Sequence, residues 1–270
     1  MLIVNSSMPR SGSTLLQNIL AQNPSIKSSP TSVLGELVGG LLNQIQQSAS
    51  VKACGYSNVI PHFKELVKGG IASWHSSQLS GTKATTYIDK SRSYLFQKNL
   101  LQDIYGDDFK IICIVRDLKD VIASMEKNHR KNIYRSDHIQ GSGATNLTQR
   151  INGYLSSSPI NPTLSKVVDL IQCGDTRNIV FIRYENLLND PQTVMDRLYA
   201  AVGLPSFAHD FSNIKQSTHE DDEFHGIYGQ HKIKPQLCNP NAGISLFNEE
   251  TNRFINENNQ IFQSFFGYML

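Results

Sequence analysis

Apolar residues fall into two kinds of run along this chain. Short β-favouring stretches centred on Leu2–Val4, Tyr87-Ile88, Phe109–Val115 and Ile179–Ile182 predict strands near residues 2–6, 85–89, 110–115 and 178–183. The run 109–115 does not alternate, which implies burial on both faces, as in a parallel sheet. Between the strands, apolar residues recur at helical spacing. Leu15, Leu16, Ile19 and Leu20 mark a helix that starts at Ser13. Leu34, Leu37, Val38, Leu41, Leu42 and Ile45 mark another over about 33–47, and Ser28–Ser32 before it reads as capping loop. Residues 50–80 read as helical but weakly patterned. Further helices are expected up to Tyr105, after Asp120, and over 164–173, 191–202 and 248–265. Strands joined by helices require right-handed crossovers. The expected fold is therefore a three-layer α/β domain, a mainly parallel sheet flanked by helices, spanning 1–270 without an internal repeat.

Composition narrows the class. Hydrophobic residues make up 39% of the chain, enough for a packed core, and the net charge of +2 is too small to argue for nucleic acid. Cys54, Cys113, Cys173 and Cys238 form no C-x-x-C pair, which fits a reducing compartment. No run approaches the roughly 18 apolar residues of a membrane span. The chain begins on its first strand, which leaves no room for a signal peptide and predicts a cytoplasmic protein.

The chemistry gathers where the strands end. After the first strand, Pro9-Arg10-Ser11-Gly12-Ser13-Thr14 leads straight into a helix. A helix N-terminus points free backbone N–H groups at such a loop and favours an anion there. Gly12 allows close backbone approach, Ser11, Ser13 and Thr14 add hydroxyls, and Arg10 adds a cationic fork. The loop lacks the Lys that follows the last Gly of a nucleotide triphosphatase P-loop, because Ser13 stands there. Polar residues beyond the carboxyl ends of α/β strands are site candidates. These are Asp89-Lys90-Ser91-Arg92, Arg116 with Ser124 two turns along the next helix, and Tyr184. Glu36 opens the helix after residue 33. His62, Trp74 and His75 are candidate pocket walls. Residues 129–146 read as a long polar loop, a candidate lid. Residues 211–243 are polar and unpatterned, and segments of that kind are usually functional or disordered. They carry His219, Glu220, Asp221, Asp222, His225 and His231, whose spacing matches no metal motif, so no metal ligands are assigned.

Four stretches stand in a recognisable order. Pro9–Thr14 resembles the 5′-phosphosulfate loop of sulfotransferases that use 3′-phosphoadenosine 5′-phosphosulfate (PAPS). Its Arg form resembles tyrosylprotein sulfotransferases and a large bacterial group. Val115-Arg116-Asp117 with Ser124 resembles the family's 3′-phosphate motif, Ile182–Leu187 its R-Y-E-x-L, and Lys234-Pro235 its cofactor-contacting Lys. The resemblance covers about residues 1–235. It implies a P-loop-like sulfotransferase fold and assigns the 5′-phosphosulfate to Arg10, Ser11, Gly12, Ser13 and Thr14. It places Arg116 and Ser124 on the 3′-phosphate, Tyr184 near the adenosine, Lys234 on the cofactor and Lys90 on the transferring group. The chain departs from tyrosylprotein sulfotransferases where they carry a catalytic Glu. Thr31 stands there, and the nearest acid is Glu36.

The implied reaction moves a sulfuryl group in line from PAPS to a hydroxyl or amine, releasing adenosine 3′,5′-bisphosphate (PAP). A sulfuryl group carries less charge than a phosphoryl group, so Arg, Lys and backbone donors suffice without a metal. Phosphoryl transfer normally recruits Mg²⁺. Arg10 and Lys90 are the candidates to stabilise the leaving oxygen. Glu36 and His219 are the candidate bases, with Asp89 and His62 behind them. Two competing readings are a P-loop-type small-molecule kinase and a non-catalytic nucleotide-binding module. The acceptor (sugar, lipid, peptide or small alcohol) and the oligomeric state, a homodimer among the options, stay open.

Overall fold

A computed structural model describes residues 1–131, 146–222, 231–237 and 246–268. The sheet has five parallel strands: β1 (Leu2–Asn5), β2 (Ile26–Thr31), β3 (Thr86–Lys90), β4 (Phe109–Val115) and β5 (Ile179–Arg183), in the order β2-β3-β1-β4-β5. β1 is central, with Val4 opposite Asp89 on one side and Ile111 on the other. The strand order turns back on itself at β1, so the loops leaving β1, β3 and β4 open into one crevice.

Twelve helices are present among the described residues: α1 (Ser13–Leu20), α2 (Leu34–Gln47), α3 (Ala49–Cys54), α4 (Tyr56–Leu79), α5 (Lys98–Tyr105), α6 (Leu118–Lys131), α7 (Leu147–Ser156), α8 (Ile160–Gln172), α9 (Tyr184–Asn189), α10 (Pro191–Ala201), α11 (Glu249–Glu257) and α12 (Gln260–Phe265). Alternate strand residues feed two cores. Leu2, Val4, Ile111, Cys113 and Val115 pack with α2, α4–α8, α11 and α12. Ile3, Ile88, Ile112 and Ile114 pack with α1 and α10. Both faces of β4 are buried, as its unbroken apolar run requires.

The expected three-layer α/β architecture is present, with four corrections of detail. Ser28–Thr31, expected as loop, is the end of β2. Its polar Ile-Lys-Ser-Ser-Pro-Thr sequence suits an edge strand, where Pro costs no ladder bond. Helices α7 and α9 were not expected, and α8 starts at Ile160 rather than 164. The expected helix 248–265 is two, parted by Asn258-Asn259. His62, Trp74 and His75 lie on α4, away from the strand-end crevice, and His75 packs edge-on against Tyr87. The candidate lid at 129–146 falls mostly on 132–145, outside the described residues. No described helix is long and apolar enough to cross a membrane.

Candidate active site

The crevice is a cavity of about 1210 Å³ lined from all five strand ends. Its floor is the loop from β1 to α1. Met8 N–H donates to Ile114 at 3.4 Å, and the Ser11 hydroxyl to Met8 carbonyl at 2.6 Å. Arg10 has a φ of 59°, a left-handed conformation costly for a side-chain-bearing residue and typical of functional turns. Gly12 has a φ of 104°, and a Cβ there would stand 2.6 Å from the Tyr184 ring. Only glycine lets Tyr184 lie on the loop. α1 then begins with no side-chain cap, leaving its first N–H groups to face the cavity. Buried Gln17 pins α1 beneath the strands, its amide donating to Ser29 and Ile88 carbonyls at 3.1 Å each.

Two cationic ends emerge. At one, Arg10 Nε donates to Ser124 Oγ at 3.1 Å, and Arg116 donates to the Arg10 carbonyl at 3.2 Å. The Arg116 guanidinium lies 4.5 Å over the Tyr184 ring and 3.7 Å from Asp120. Its buried Nε has no hydrogen-bond partner among the described residues. Burial, then the neighbouring Arg116, push the Arg10 pKa down. Two guanidiniums this close favour a multiply charged anion. The Tyr184 phenol is pushed up, chiefly by burial.

At the other end, buried Lys90 Nζ reaches Thr14 Oγ1 at 3.1 Å and Glu220 Oε1 at 2.7 Å. Burial pushes the Lys90 pKa down, against the pull of Glu220. Burial would raise Glu220, but the charge and hydrogen bond of Lys90, with His231 and the Thr31 side chain, outweigh it and hold the carboxyl below its ordinary value. Thr31 N–H donates to Glu220 at 2.9 Å.

Glu220 arrives from a long way off in sequence. Asn18 on α1 accepts from Ser217 N–H at 2.6 Å and Thr218 N–H at 3.1 Å, and donates to Thr218 Oγ1 at 2.9 Å. That clamp lays residues 217–220 along the helix behind the anion loop. Residues 231–237 run beside it. Ile214 N–H donates to the Pro235 carbonyl at 2.6 Å, and Gln216 bridges to the His231 carbonyl and Ile233 N–H. Lys234 and His219 thereby reach the cavity wall, both exposed.

The structure thus brings together Arg10, Gly12, Ser13, Thr14, Lys90, Arg116, Ser124, Tyr184, His219 and Lys234. Ser11 is buried beneath the loop rather than facing the cavity. Arg10 bonds Ser124 and lies beside Arg116, and the Asp222 carboxylate acts on both Arg10 and Lys90. Glu36 is exposed on α2 and lines no part of the cavity. Asp89 is also withdrawn, its carboxylate accepting from the buried Tyr87 and Tyr94 hydroxyls. Among the described residues, no group of three or more His, Cys, Asp or Glu side chains is placed to hold a metal.

A model of the sulfotransferase family matches residues 3–209, the stretch holding every strand and the loop. The chain belongs to that family. No curated protein matches the sequence significantly. Solved sulfotransferases share the fold. One from Alicyclobacillus acidocaldarius is 13% identical, with 99% of this chain and 96% of that one covered at a TM-score of 0.52. A mouse sulfotransferase complexed with PAP is 16% identical, with 97% and 82% covered at a TM-score of 0.51.

In this sulfotransferase, sequence reasoning missed Glu220, His231 and Asp222 as a cluster, while Arg92, delivered with Lys90 at a strand end, does line the cavity. The first three belong to the polar segment singled out for its histidines and acids. What singles Glu220 out is the clamp at Asn18, a contact across 200 positions that no local pattern encodes.

Proposed function

We propose that this sulfotransferase uses PAPS as donor and transfers its sulfuryl group to a hydroxyl or amine. The observation that carries the reading is one cavity with two separate anion-binding ends. The Arg10–Arg116–Ser124 end suits a terminal phosphate, and the orphaned Nε of buried Arg116 is a donor awaiting an acceptor. The end formed by the α1 N-terminus, Thr14 and Lys90 suits the phosphosulfate. Tyr184, with one ring edge against Gly12 and its face under Arg116, offers an aromatic surface beside the 3′-phosphate end. Lys234 adds charge to the cavity lining.

Within that reading, the α1 N–H groups and Lys90 stand where charge builds on the leaving oxygen. Fixed donors stabilise it without reorganising during the reaction. Arg10 and Arg116 orient the donor by gripping its far end, which fixes the line of transfer. Mouse sulfotransferase complexed with PAP supports the choice of nucleotide.

Two measurements test this. Thermal unfolding is followed with PAP, with adenosine 5′-phosphate, and with ATP plus Mg²⁺. PAP is expected to stabilise most, and a larger shift with ATP plus Mg²⁺ would favour a kinase. Transfer from labelled PAPS is then screened against 2-naphthol, 1-octanol, glucosamine and a tyrosine-containing peptide. PAP binding with no transfer to any acceptor would mark a non-catalytic module.

A further inference from the structure

We infer that Glu220, backed by His231 and Asp222, receives the acceptor's proton during sulfuryl transfer. The inference rests on the reading above and adds the group it lacks. Neither candidate base read from the sequence is equipped for the task. Glu36 stands outside the cavity, and among the described residues no hydrogen bond orients the exposed His219 ring.

Glu220 is held in the wall with one position spare. A carboxylate accepts in about four lone-pair directions. Oε1 takes Lys90 Nζ at 2.7 Å and Thr31 N–H at 2.9 Å, and Oε2 faces His231 Nε2 at 3.1 Å. The remaining direction on Oε2 is left for an acceptor hydroxyl or amine. Lys90 also reaches Thr14 at 3.1 Å, so one cation separates this carboxylate from the anion loop.

His231 gives the proton a destination. Its Nδ1 is 2.6 Å from Asp222 Oδ1, and its backbone N–H donates to Asp222 Oδ2 at 3.1 Å, so the ring is fixed from two sides. That partner assigns the neutral ring's hydrogen to Nδ1 and its lone pair to Nε2. Nε2 and Oε2 of Glu220 are then two electron-rich atoms face to face. A proton arriving on Oε2 turns that contact into a hydrogen bond, and Asp222 stabilises the imidazolium if the proton moves on. Burial pushes the His231 pKa down, against the pull of Glu220 and Asp222.

The step balances. The acceptor oxygen or nitrogen forms its bond to sulfur as the bond between sulfur and the bridging phosphate oxygen breaks. The electron pair of the broken bond leaves with the 5′-phosphate, beside Lys90 and the α1 N-terminus. The acceptor's proton passes to Glu220 Oε2 and is shared with His231 Nε2. No oxidant, reductant or further reactant is needed.

Glu220→Gln tests this, because it keeps the side chain's size and one carbonyl oxygen for Lys90 and Thr31. Single-turnover transfer from saturating labelled PAPS is measured with 1-octanol and with phenols of falling pKa, and PAP affinity is measured by calorimetry. Transfer to the alcohol is expected to fall by about 10²–10⁴-fold, with PAP affinity nearly unchanged. The deficit should shrink along the phenol series, because an ionised acceptor has no proton to give. An unchanged rate, or an equal loss with every acceptor, overturns the proposal. Should Glu220→Gln fail to fold or to bind PAP, His231→Gln serves instead. It leaves Lys90 and Glu220 in place and should slow the alcohol more than the most acidic phenol, and equal rates overturn the proposal. If the unaltered chain binds PAP but transfers to nothing, the sulfotransfer reading fails and takes the proposal with it.

Discussion

Arg116 is the residue where burial, charge and an unmet hydrogen bond coincide. Its guanidinium is pinned by the Arg10 carbonyl and the Tyr184 ring, yet Nε has no partner among the described residues. If that donor serves a 3′-phosphate, Arg116→Ala should weaken PAP binding by about 1.5–3 kcal/mol, the usual worth of a hydrogen bond to a charged group. Binding of adenosine 5′-phosphate, which has no group there, should change far less. Calorimetric titration of both nucleotides decides it, and equal losses would place Arg116 elsewhere. This residue was legible because it directly follows an unbroken apolar strand, where α/β geometry delivers side chains to the crevice. Lys90 and Tyr184 likewise stand at the carboxyl ends of strands, although polar residues directly precede them. Glu36 is exposed on α2 and outside the cavity lining, although its charge acts on Arg92 at the cavity wall. β2 runs on to Thr31, and α2 then turns Glu36 outward.

At the scale of elements, the site depends on how the 211–222 segment is fastened to α1. The sequence showed a polar stretch without period and could say no more. Such a segment takes its course from hydrogen bonds to distant partners, not from its own periodicity. Asn18 supplies those bonds, being itself 1% exposed and tied to Thr14 carbonyl at 2.8 Å. Asn18→Ala would strip the Ser217 and Thr218 N–H groups of their acceptor. A buried donor left unmet costs about 1–3 kcal/mol. The urea midpoint should fall accordingly with an unchanged slope. Transfer should suffer as well, because Glu220 and its partners lose their fastening, while PAP binding at Arg116 should be largely kept. A variant with normal stability and normal transfer would show that the clamp does not position this segment. β2 was lost in the sequence for a related reason. An edge strand needs neither an apolar run nor every N–H, so Lys27, Ser28, Ser29 and Pro30 gave no strand signal.

Across the whole molecule, two cores share one sheet, and the larger is held together partly by charge. Glu126 on α6 is fully buried yet ionic. Arg150 of α7 donates to both its oxygens at 2.8 Å, and Arg130 adds a bond at 2.8 Å. α6 follows directly from β4 and carries Ser124, so this junction supports the 3′-phosphate end of the cavity from behind. Burial opposes ionisation of Glu126, but the hydrogen bonds and charges of Arg150 and Arg130 outweigh it, and the folded pKa lies below the ordinary 4.5. A depressed carboxyl binds its proton more readily in the unfolded chain than in the folded one. Stability from this junction is therefore fully present above the unfolded value of about 4.5 and is lost as pH falls through the lower folded value. Glu126→Gln removes that dependence. At neutral pH it should cost about 1.5–3 kcal/mol, the worth of charge-assisted hydrogen bonds exchanged for neutral ones. In acid, below the folded value, the variant and the unaltered protein should converge, because both then present an uncharged side chain to the two arginines. Urea unfolding across a pH series measures the gap. A gap that stays constant into acid would mean that Glu126 acts by shape alone and that the junction owes nothing to its charge.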